Sequence, residues 1–254
     1  MDIIVLLKQV PDLVEELELD ATGTRVDRER VRHVLNEFDD HALEQALLLK
    51  EKQGGQVSAL ALDRGNVDES LYTAIAKGAD RAVKITGAFE HVDTHTAAQV
   101  FHSILKTLSY DLILTGVQAV DDLDGQLGPM LAAMLKLPYV GVVTGVTIDG
   151  ACCTVLKEYP GGVRAELEVS LPAVLGIQAA EKPPRYVPMA RLRQAMKSAK
   201  IEEMPAELPS GAGLSVRRLF KPEAAGRAEI LSGTPEEAVS QLIRILREKG
   251  LIKG

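Results

Sequence analysis

Short apolar runs alternate along this chain with segments whose apolar residues recur at helical spacing. Strand patterns cover residues 3–7, 57–62, 81–86 and 111–116, and each is followed by a helical pattern: residues 41–52, residues 66–78, residues 97–108, and a segment that opens near Gly125 and ends before Pro138. A repeated strand–helix–strand order builds a mostly parallel sheet, because right-handed crossovers place helices on both of its faces. The sequence therefore predicts a doubly wound, Rossmann-like α/β fold.

Further elements flank and follow this core pattern. Alternation around Ala21-Thr22-Gly23 predicts a small hairpin over residues 16–29. Four more strand patterns follow the last crossover, at residues 143–148, 152–158, 164–170 and 172–178. Residues 199–232 lack periodicity and predict an extended surface tail, and a terminal helix is predicted from Pro235 to Lys249 with Thr234 as its N-cap. We assign residues 1–190 to an α/β nucleotide-binding domain. Residues 191–254 then form a partner-recognition segment, an extended tail and a C-terminal helix.

Composition excludes several classes of protein. The net charge of −7 argues against a nucleic-acid-binding protein, because such proteins carry basic faces. No run approaches 18 apolar residues, so no transmembrane segment is predicted. The N-terminus leads directly into a strand pattern, and the only two cysteines, Cys152 and Cys153, are adjacent, so neither a signal peptide nor a disulfide framework is expected. A cytoplasmic location fits these features.

The turn that joins the 111–116 strand to its helix is rich in glycine, with Gly116, Gly125 and Gly128. Its backbone N–H groups and the helix N-terminus suit a phosphate. In an open α/β sheet it should meet Leu6–Val10, Leu62–Asn66 and Asn36–Asp39 beyond the carboxyl ends of the strands. Asp121, Asp122 and Asp124 argue against an uncompensated polyphosphate, although Asp124 could instead cap the helix. The alternative is a glycine-rich connection without a ligand.

Other reactive residues give no convincing site. His91, Asp93, His95 and His102 cluster in the sequence, but Asp93-Thr94 is typical of a helix cap and a third ligand of suitable spacing is missing, so no metal site is predicted. Cys152 and Cys153 lie in a strand pattern and are interpreted as structural. No G-x-S-x-G motif occurs. A basic stretch is either a solvated helix face or a docking patch for an acidic partner; its members are Arg185, Arg191, Arg193, Lys197 and Lys200.

Several segments together resemble one known family, the beta subunit of electron transfer flavoprotein. The resemblance covers nearly the whole chain. It rests on IIVLLKQVPD (3–12), LNEFDDHALEQALLLKE (35–51), TAIAKGADRA (73–82), DLILTGVQAVDDLDGQLGPM (111–130), Pro160-Gly161-Gly162 with LPAVLG (171–176), PRY (184–186) and GTPEEAVSQLIRILREKGLI (233–252). It implies a sheet similar to that of the adenine nucleotide alpha hydrolases, followed by a tail and a terminal helix.

The resemblance also implies a cofactor site in this chain. In the family the beta subunit holds an adenine nucleotide, usually AMP, while the redox FAD lies mainly in the alpha subunit and is partly covered by the loop around Pro11–Leu13. The phosphate would lie on Leu123 to Met134. The residues implied to bind the nucleotide are Leu6, Leu7, Asn36, Glu37, Phe38, Asp39, Leu62, Gly116, Leu123, Asp124, Gly125, Gln126, Leu127, Gly128, Pro129, Met130 and Met134.

The function implied is that of a non-catalytic electron carrier rather than an enzyme. The chain would form a heterodimer with the alpha subunit. It would carry electrons from acyl-CoA-type dehydrogenases of fatty acid oxidation to a membrane quinone oxidoreductase or another acceptor. Met189 corresponds to the anchor that docks the dehydrogenase, and Arg185, Arg191 and Arg193 lie beside it.

Two alternatives stay open. QLGP (126–129) is similar to electron-bifurcating members of the family, in which a second FAD replaces AMP. The other alternative is an adenine-nucleotide enzyme on the same fold, such as an ATP pyrophosphatase. Such an enzyme would need a Ser-Gly-Gly-x-Asp-Ser/Thr loop after the first strand, where this chain has LKQVPD.

Overall fold

The chain divides into two compact units. The computed structural model describes residues 1–28, 30–65, 67–89, 92–209, 214–221, 228 and 230–252. The first unit comprises Met1–Arg217 and the second comprises Arg218–Gly254. The first unit therefore includes part of the segment that the sequence analysis assigned to residues 191–254.

The elements follow the alternating order that the sequence predicts. In chain order they are β1 (Asp2–Leu7), β2 (Gln9–Pro11), β3 (His33–Leu35), α1 (Glu37–Gln53), β4 (Gln56–Leu62), α2 (Asp68–Lys77), β5 (Arg81–Thr86), α3 (Thr94–Leu105), β6 (Leu112–Gly116), α4 (Leu127–Leu135), β7 (Tyr139–Asp149), β8 (Cys152–Tyr159), a 3₁₀ turn (Pro160–Gly162), β9 (Val163–Ser170), β10 (Ala173–Ile177), α5 (Met189–Ser198), β11 (Glu202–Pro205) and α6 (Pro235–Glu248). None of the helices among these elements is long and apolar enough to cross a membrane.

The main sheet has nine strands in the order β11-β5-β4-β1-β6-β10-β7-β8-β9. Neighbouring strands run parallel from β11 to β7. The β7–β8 and β8–β9 pairs are antiparallel. The doubly wound, mostly parallel sheet is thus confirmed, with an antiparallel extension at one edge.

Apolar residues cover both faces of the sheet. Ile3, Val5 and Leu7 of β1 join the core beneath α1 and α2. Ile4 and Leu6 face the other way and join the core beneath α3 and α4. Side chains alternate between the faces of a strand, so a strand covered on both sides must be apolar at every position. This explains the uninterrupted run IIVLL in the sequence.

Glycine and polar caps end or begin the helices where the sequence predicts them. Gly78, with φ 129°, ends α2, the Asp93 carboxylate accepts from the Thr96 N–H at the start of α3, and Thr234 and Glu237 form a capping box on α6. Asn66 and His91, both named in the sequence analysis, lie outside the described residues.

The sequence predicted an extended surface tail from residue 199, but Glu202–Pro205 form a regular strand, β11. β11 pairs with β5 and extends the sheet. The sequence of β11, EEMP, carries no apolar alternation because the strand lies at an edge. Its side chains pair with charges on β5: Arg81 with Glu202 at 2.8 Å and Lys84 with Glu203 at 3.1 Å. The hairpin predicted over residues 16–29 is reduced to one antiparallel bridge between Leu19 and Val26.

Candidate functional site

A cleft opens at the carboxyl ends of β1, β4 and β6. The space between its walls, which includes open solvent, amounts to about 710 Å³. The four segments predicted to converge do meet here. The lining residues are Leu6, Leu7, Lys8, Gln9, Asn36, Asp39, Leu62, Arg64, Val67, Thr94, Ala97, Phe101, Gly116, Val117, Gln118, Ala119, Asp122, Gly125 and Leu127.

The buried carboxylate of Asp39 holds two strand ends in place. Its oxygens accept hydrogen bonds from the Lys8 N–H at 2.8 Å and the Gly116 N–H at 2.9 Å. Burial raises the pKa of Asp39 to about 7, and hydrogen bonds from Asn36 and from the Gly116 and Lys8 N–H groups oppose that rise. A side chain at Gly116 would collide with this carboxylate and with Phe38, so glycine is required there. Asp39 therefore fixes the floor of the cleft by joining the ends of β1 and β6.

Unpartnered acceptors face or adjoin the cleft. The Asn36 amide donates to the Gln118 carbonyl at 2.9 Å, but its Oδ1 has no partner among the described residues. The same is true of Gln9 Oε1, and both residues line the cleft. A buried acceptor left unpaired costs about 1–3 kcal/mol. A ligand with N–H or O–H donors, such as an amino-purine or a ribose, would remove that cost.

The start of α4 is open toward an anion. Gln126 is its N-cap, and no side chain caps this helix, Asp124 included. Gly125 takes φ +60°, and a side chain there would strike the Val117 carbonyl. The turn thus needs glycine at 125 and leaves the first N–H groups of α4 without a capping side chain. Such a helix start favours phosphate.

Gly128 has a different role from the one that the turn suggested. It lies inside α4, and a Cβ there would lie 2.7 Å from the Tyr139 ring and 3.1 Å from Thr115 Oγ1. Gly141 and Gly176 also approach Tyr139, where an added Cβ would lie 2.6 Å from its hydroxyl oxygen. Three glycines therefore make room for one partly buried tyrosine, and Gly128 brings α4 against it.

A groove continues from the cleft past the start of α4. Its lining includes Lys8, Arg64, Asp124, Gln126 and Met130. Asp121 pairs with Lys8 at 2.6 Å, and Asp122 accepts from the Thr94 hydroxyl at 2.6 Å. Two of the three carboxylates that argued against a polyphosphate, Asp121 and Asp122, thus already have partners within the chain.

The other residues singled out in the sequence lie at different distances from the cleft. Asp124, Gln126 and Met130 line the groove, whereas Asp124 and Pro129 line a separate depression beside Tyr139. Glu37, Phe38, Leu123, Gly128 and Met134 line neither the cleft nor the groove. The sequence placed Lys8, Gln9 and Arg64 in segments expected at the cleft, but none of the three was singled out as a binding residue. The available signal was their position immediately after β1 and β4, where side chains of a parallel sheet meet a ligand.

The segment before α5 is fixed to the body of the sheet unit. The Arg185 guanidinium bonds both oxygens of Glu44, whose side chain is 4% exposed, and pairs with Glu51 at 2.8 Å. Burial pushes the pKa of Glu44 upward, but Arg185 more than offsets this and holds it below its ordinary value. Leu192 and Ala195 are buried, and α5 packs on α2. Met189, 57% exposed, Arg191 and Arg193 face solvent.

The described residues contain no cluster of three or more His, Cys, Asp or Glu side chains suited to a metal ion. Cys152 and Cys153 are both free thiols, and Cys153 is buried. Burial raises the pKa of Cys153 to about 11, which leaves it unreactive near neutral pH.

Comparison with known proteins points in one direction. Residues 23–209 match the sequence model of the electron transfer flavoprotein domain. The chain is 33% identical to the electron transfer flavoprotein subunit beta of Methylophilus methylotrophus, covering 98% of each chain. It is 34% identical to the caffeyl-CoA reductase-Etf complex subunit CarD of Acetobacterium woodii, covering 99% of this chain and all of the relative. It is 29% identical to the acryloyl-CoA reductase electron transfer subunit gamma of Anaerotignum propionicum, with the same coverage.

Proposed function

Because the chain belongs to the family of electron transfer flavoprotein beta subunits, we propose that it pairs with an alpha subunit and binds an adenine nucleotide in the cleft between β1, β4 and β6. The observation that carries this proposal is the cleft itself: an apolar pocket with unpartnered acceptors, next to an uncapped helix start. The role is that of a cytoplasmic electron carrier, without bond-making chemistry of its own.

Each part of a nucleotide has a counterpart in the cleft. Leu6, Leu62 and Phe101 offer apolar surface to an adenine ring. Asn36 Oδ1 and Gln9 Oε1 would accept from its amine or from ribose hydroxyls. The first turn of α4 would hold the phosphate through its N–H groups. Asp39 would not bind the nucleotide directly. Its carboxylate would keep the ends of β1 and β6 at a fixed spacing.

The redox group of this proposal is an FAD held mainly by the alpha subunit. When bound, FAD accepts and donates the electrons. This chain would shield it with the loop after β2, where Leu13 and Val14 are 60% and 93% exposed in the isolated chain. Electrons would arrive from an acyl-CoA-type dehydrogenase and leave to a membrane quinone oxidoreductase or another acceptor. A bifurcating role with a second FAD in this chain is the second candidate, favoured by the groove that extends the cleft.

The decisive experiment is co-expression with the alpha subunit, followed by acid extraction and mass spectrometry of every bound nucleotide. We expect FAD plus one adenine nucleotide in this chain. A heterodimer that carries a single FAD and no further nucleotide would refute the cleft assignment.

Replacing Gly128 with valine should remove the nucleotide from the heterodimer. The new side chain would overlap Tyr139 and Thr115 and push the start of α4 away from the cleft. We expect at least a tenfold loss of nucleotide affinity, because about 1.4 kcal/mol of displaced contacts is enough for a factor of ten. Nucleotide content per heterodimer, measured after extraction, checks this.

Gly145→Ala is the matched control, since an added Cβ there would lie 3.5 Å from Leu156, an ordinary contact distance. It should retain full occupancy. Full nucleotide occupancy in Gly128→Val would show that phosphate binding does not depend on the position of α4.

Met189→Ala should weaken docking of the dehydrogenase. Met189 is exposed on the first turn of α5, and its flexible thioether suits an apolar pocket on a partner. We propose that Arg191 and Arg193 speed encounter with an acidic partner, while Arg185 serves docking by fixing the segment through Glu44. Truncation of a desolvated anchor typically costs about 1–2 kcal/mol, so the apparent KM of the heterodimer toward its dehydrogenase should rise about tenfold.

Met196→Ala is the matched control, because it makes the same substitution on the same helix at a residue that is 50% exposed. It should leave the apparent KM unchanged, and flavin content should be equal in both variants. Unchanged kinetics in Met189→Ala would place docking on another surface.

A further inference from the structure

We propose that residues 214–216 form a barrier to nucleotide exchange at the mouth of the cleft, and that Asp93 is the positioning residue that holds them there. This inference rests on the proposed nucleotide site and adds the feature that sets how fast a ligand enters and leaves it. The 214–216 segment acts on the rates in both directions without contacting the ligand.

The groove beside the cleft is bounded in part by this segment. Residues 214–216 line the groove together with Gln126, the N-cap of α4. Gly125 and Leu127, the two chain neighbours of Gln126, line the cleft itself. A phosphate on the start of α4 would therefore lie where the cleft opens into the groove, beside a wall to which the 214–216 segment contributes.

One carboxylate joins the 214–216 segment to the start of α3. Asp93 Oδ1 accepts from the Thr96 N–H at 2.7 Å, which caps the helix, and Asp93 Oδ2 accepts from the Leu214 N–H at 2.7 Å. Burial pushes the pKa of Asp93 upward, but the N–H groups of Leu214 and Thr96 more than offset this and hold it below its ordinary value. The carboxylate is thus ionised near neutral pH, and its hydrogen bonds are of the stronger, charge-assisted kind.

The backbone, rather than burial of side chains, holds the segment at this point. Leu214 is 89% exposed and Val216 is 55% exposed. Little apolar surface is therefore removed from water here, and apolar burial contributes little to the position of the segment. The hydrogen bond from Leu214 to Asp93 is left as the contact whose loss would release it.

The start of α3 has its own attachment to the turn before α4. The Thr94 hydroxyl donates to Asp122 at 2.6 Å, and the Asp122 N–H donates to the Ala119 carbonyl at 3.0 Å. Thr94 and Asp122 line both the cleft and the groove. Breaking the bond between Leu214 and Asp93 should therefore free the 214–216 segment and leave this side of the mouth in place.

The bond can be broken from either side with the cap of α3 intact. Leu214→Pro removes the N–H donor and leaves Asp93 unchanged. Asp93→Asn keeps one oxygen for the cap, since asparagine is a good N-cap residue, and replaces the oxygen that accepts from Leu214. Leu214→Ala is the matched control, because it retains the N–H and alters a residue that is 89% exposed.

Exchange is measured on the full-length chain in its heterodimer, with radiolabelled AMP and FAD as probes after the bound nucleotide of this chain has been removed. For the probe that binds, Leu214→Pro and Asp93→Asn should each raise both the association and the dissociation rate about tenfold, as loss of one charge-assisted hydrogen bond allows. The equilibrium dissociation constant should stay within about twofold of the native value, because a barrier affects both directions equally. The double variant should be no faster than either single variant, since both remove the same bond.

Unchanged exchange rates in Leu214→Pro and Asp93→Asn overturn the inference, as does equal acceleration in Leu214→Ala, which would assign the effect to the side chain. A faster dissociation with unchanged association also overturns it, because the segment would then be a ligand contact and not a barrier. Failure of both probes to bind the native heterodimer instead refutes the proposed nucleotide site, and the inference with it.

Discussion

A chain that ends after Arg217 is expected to fold its sheet but to lose the alpha subunit. The segment removed is the second compact unit, Arg218–Gly254. Its helix α6 has no buried residue, and Val239, Leu242 and Ile243 expose an apolar face. An amphipathic helix gains little stability while its apolar face stays exposed to solvent. We therefore expect a surface of the partner to cover this face. Co-purification with a tagged alpha subunit should fall from stoichiometric to undetectable.

The position of the cut matters because β11 belongs to the sheet. A deletion from residue 200 would remove an edge strand as well as the tail, and would confuse loss of the partner with loss of the fold. Leu242→Asp in the full-length chain tests the apolar face alone. Ser240→Asp adds the same charge beside that face and should leave the complex intact. A truncated chain that still co-purifies with an FAD-loaded alpha subunit would contradict the proposal.

Among the substitutions proposed at exposed or half-buried residues of this chain, Arg185→Ala is expected to lower the free energy of unfolding the most. It would leave the Glu44 carboxylate buried without its counter-charge. Removing one partner of a fully buried pair costs about 3–5 kcal/mol. Because the Arg185 side chain is 31% exposed, we expect the lower end of that range, and at about 2–4 °C per kcal/mol for a chain of this size the melting temperature should fall by roughly 10 °C. Thermal unfolding of the purified heterodimer measures the shift.

Two further variants separate charge burial from loss of packing. Arg164→Ala breaks an exposed ion pair with Glu158 and should change stability by less than about 1 kcal/mol. Arg185→Met combined with Glu44→Leu removes both charges and should recover most of the loss, because no carboxylate then stays buried alone. A melting temperature of Arg185→Ala within a degree of the native value would show that Glu44 is solvated after all.

The layered core was readable from the sequence because its physical signal is local. A strand covered on both faces must be apolar at consecutive positions, as in residues 3–7 and 59–62, and the helices between such strands show their own period. The glycine-rich turn before α4 was readable for a similar reason, since Gly125 takes a backbone conformation that favours glycine.

The features that were missed depend on partners distant in the chain. The role of Gly128 follows from Tyr139 and from two further glycines on other strands. Asp39 is buried although it is charged, because N–H groups of β1 and β6 reach it. β11 is held by the backbone and charges of β5, so no apolar period marks it. No local pattern in the sequence encodes such pairings.

Helix α5, the proposed docking helix, is held in place at both of its ends. Before it, Arg185 is held by Glu44 and Glu51 on α1, and after it, β11 joins the sheet beside β5. A partner that engages Met189 thus meets a surface whose conformation is already set. Ordering a mobile loop on binding costs about 0.5–1.5 kcal/mol for each side chain that is immobilised. A segment that is already rigid avoids most of that entropy loss, so a partner that docks as proposed would need only a small contact area and could also dissociate quickly.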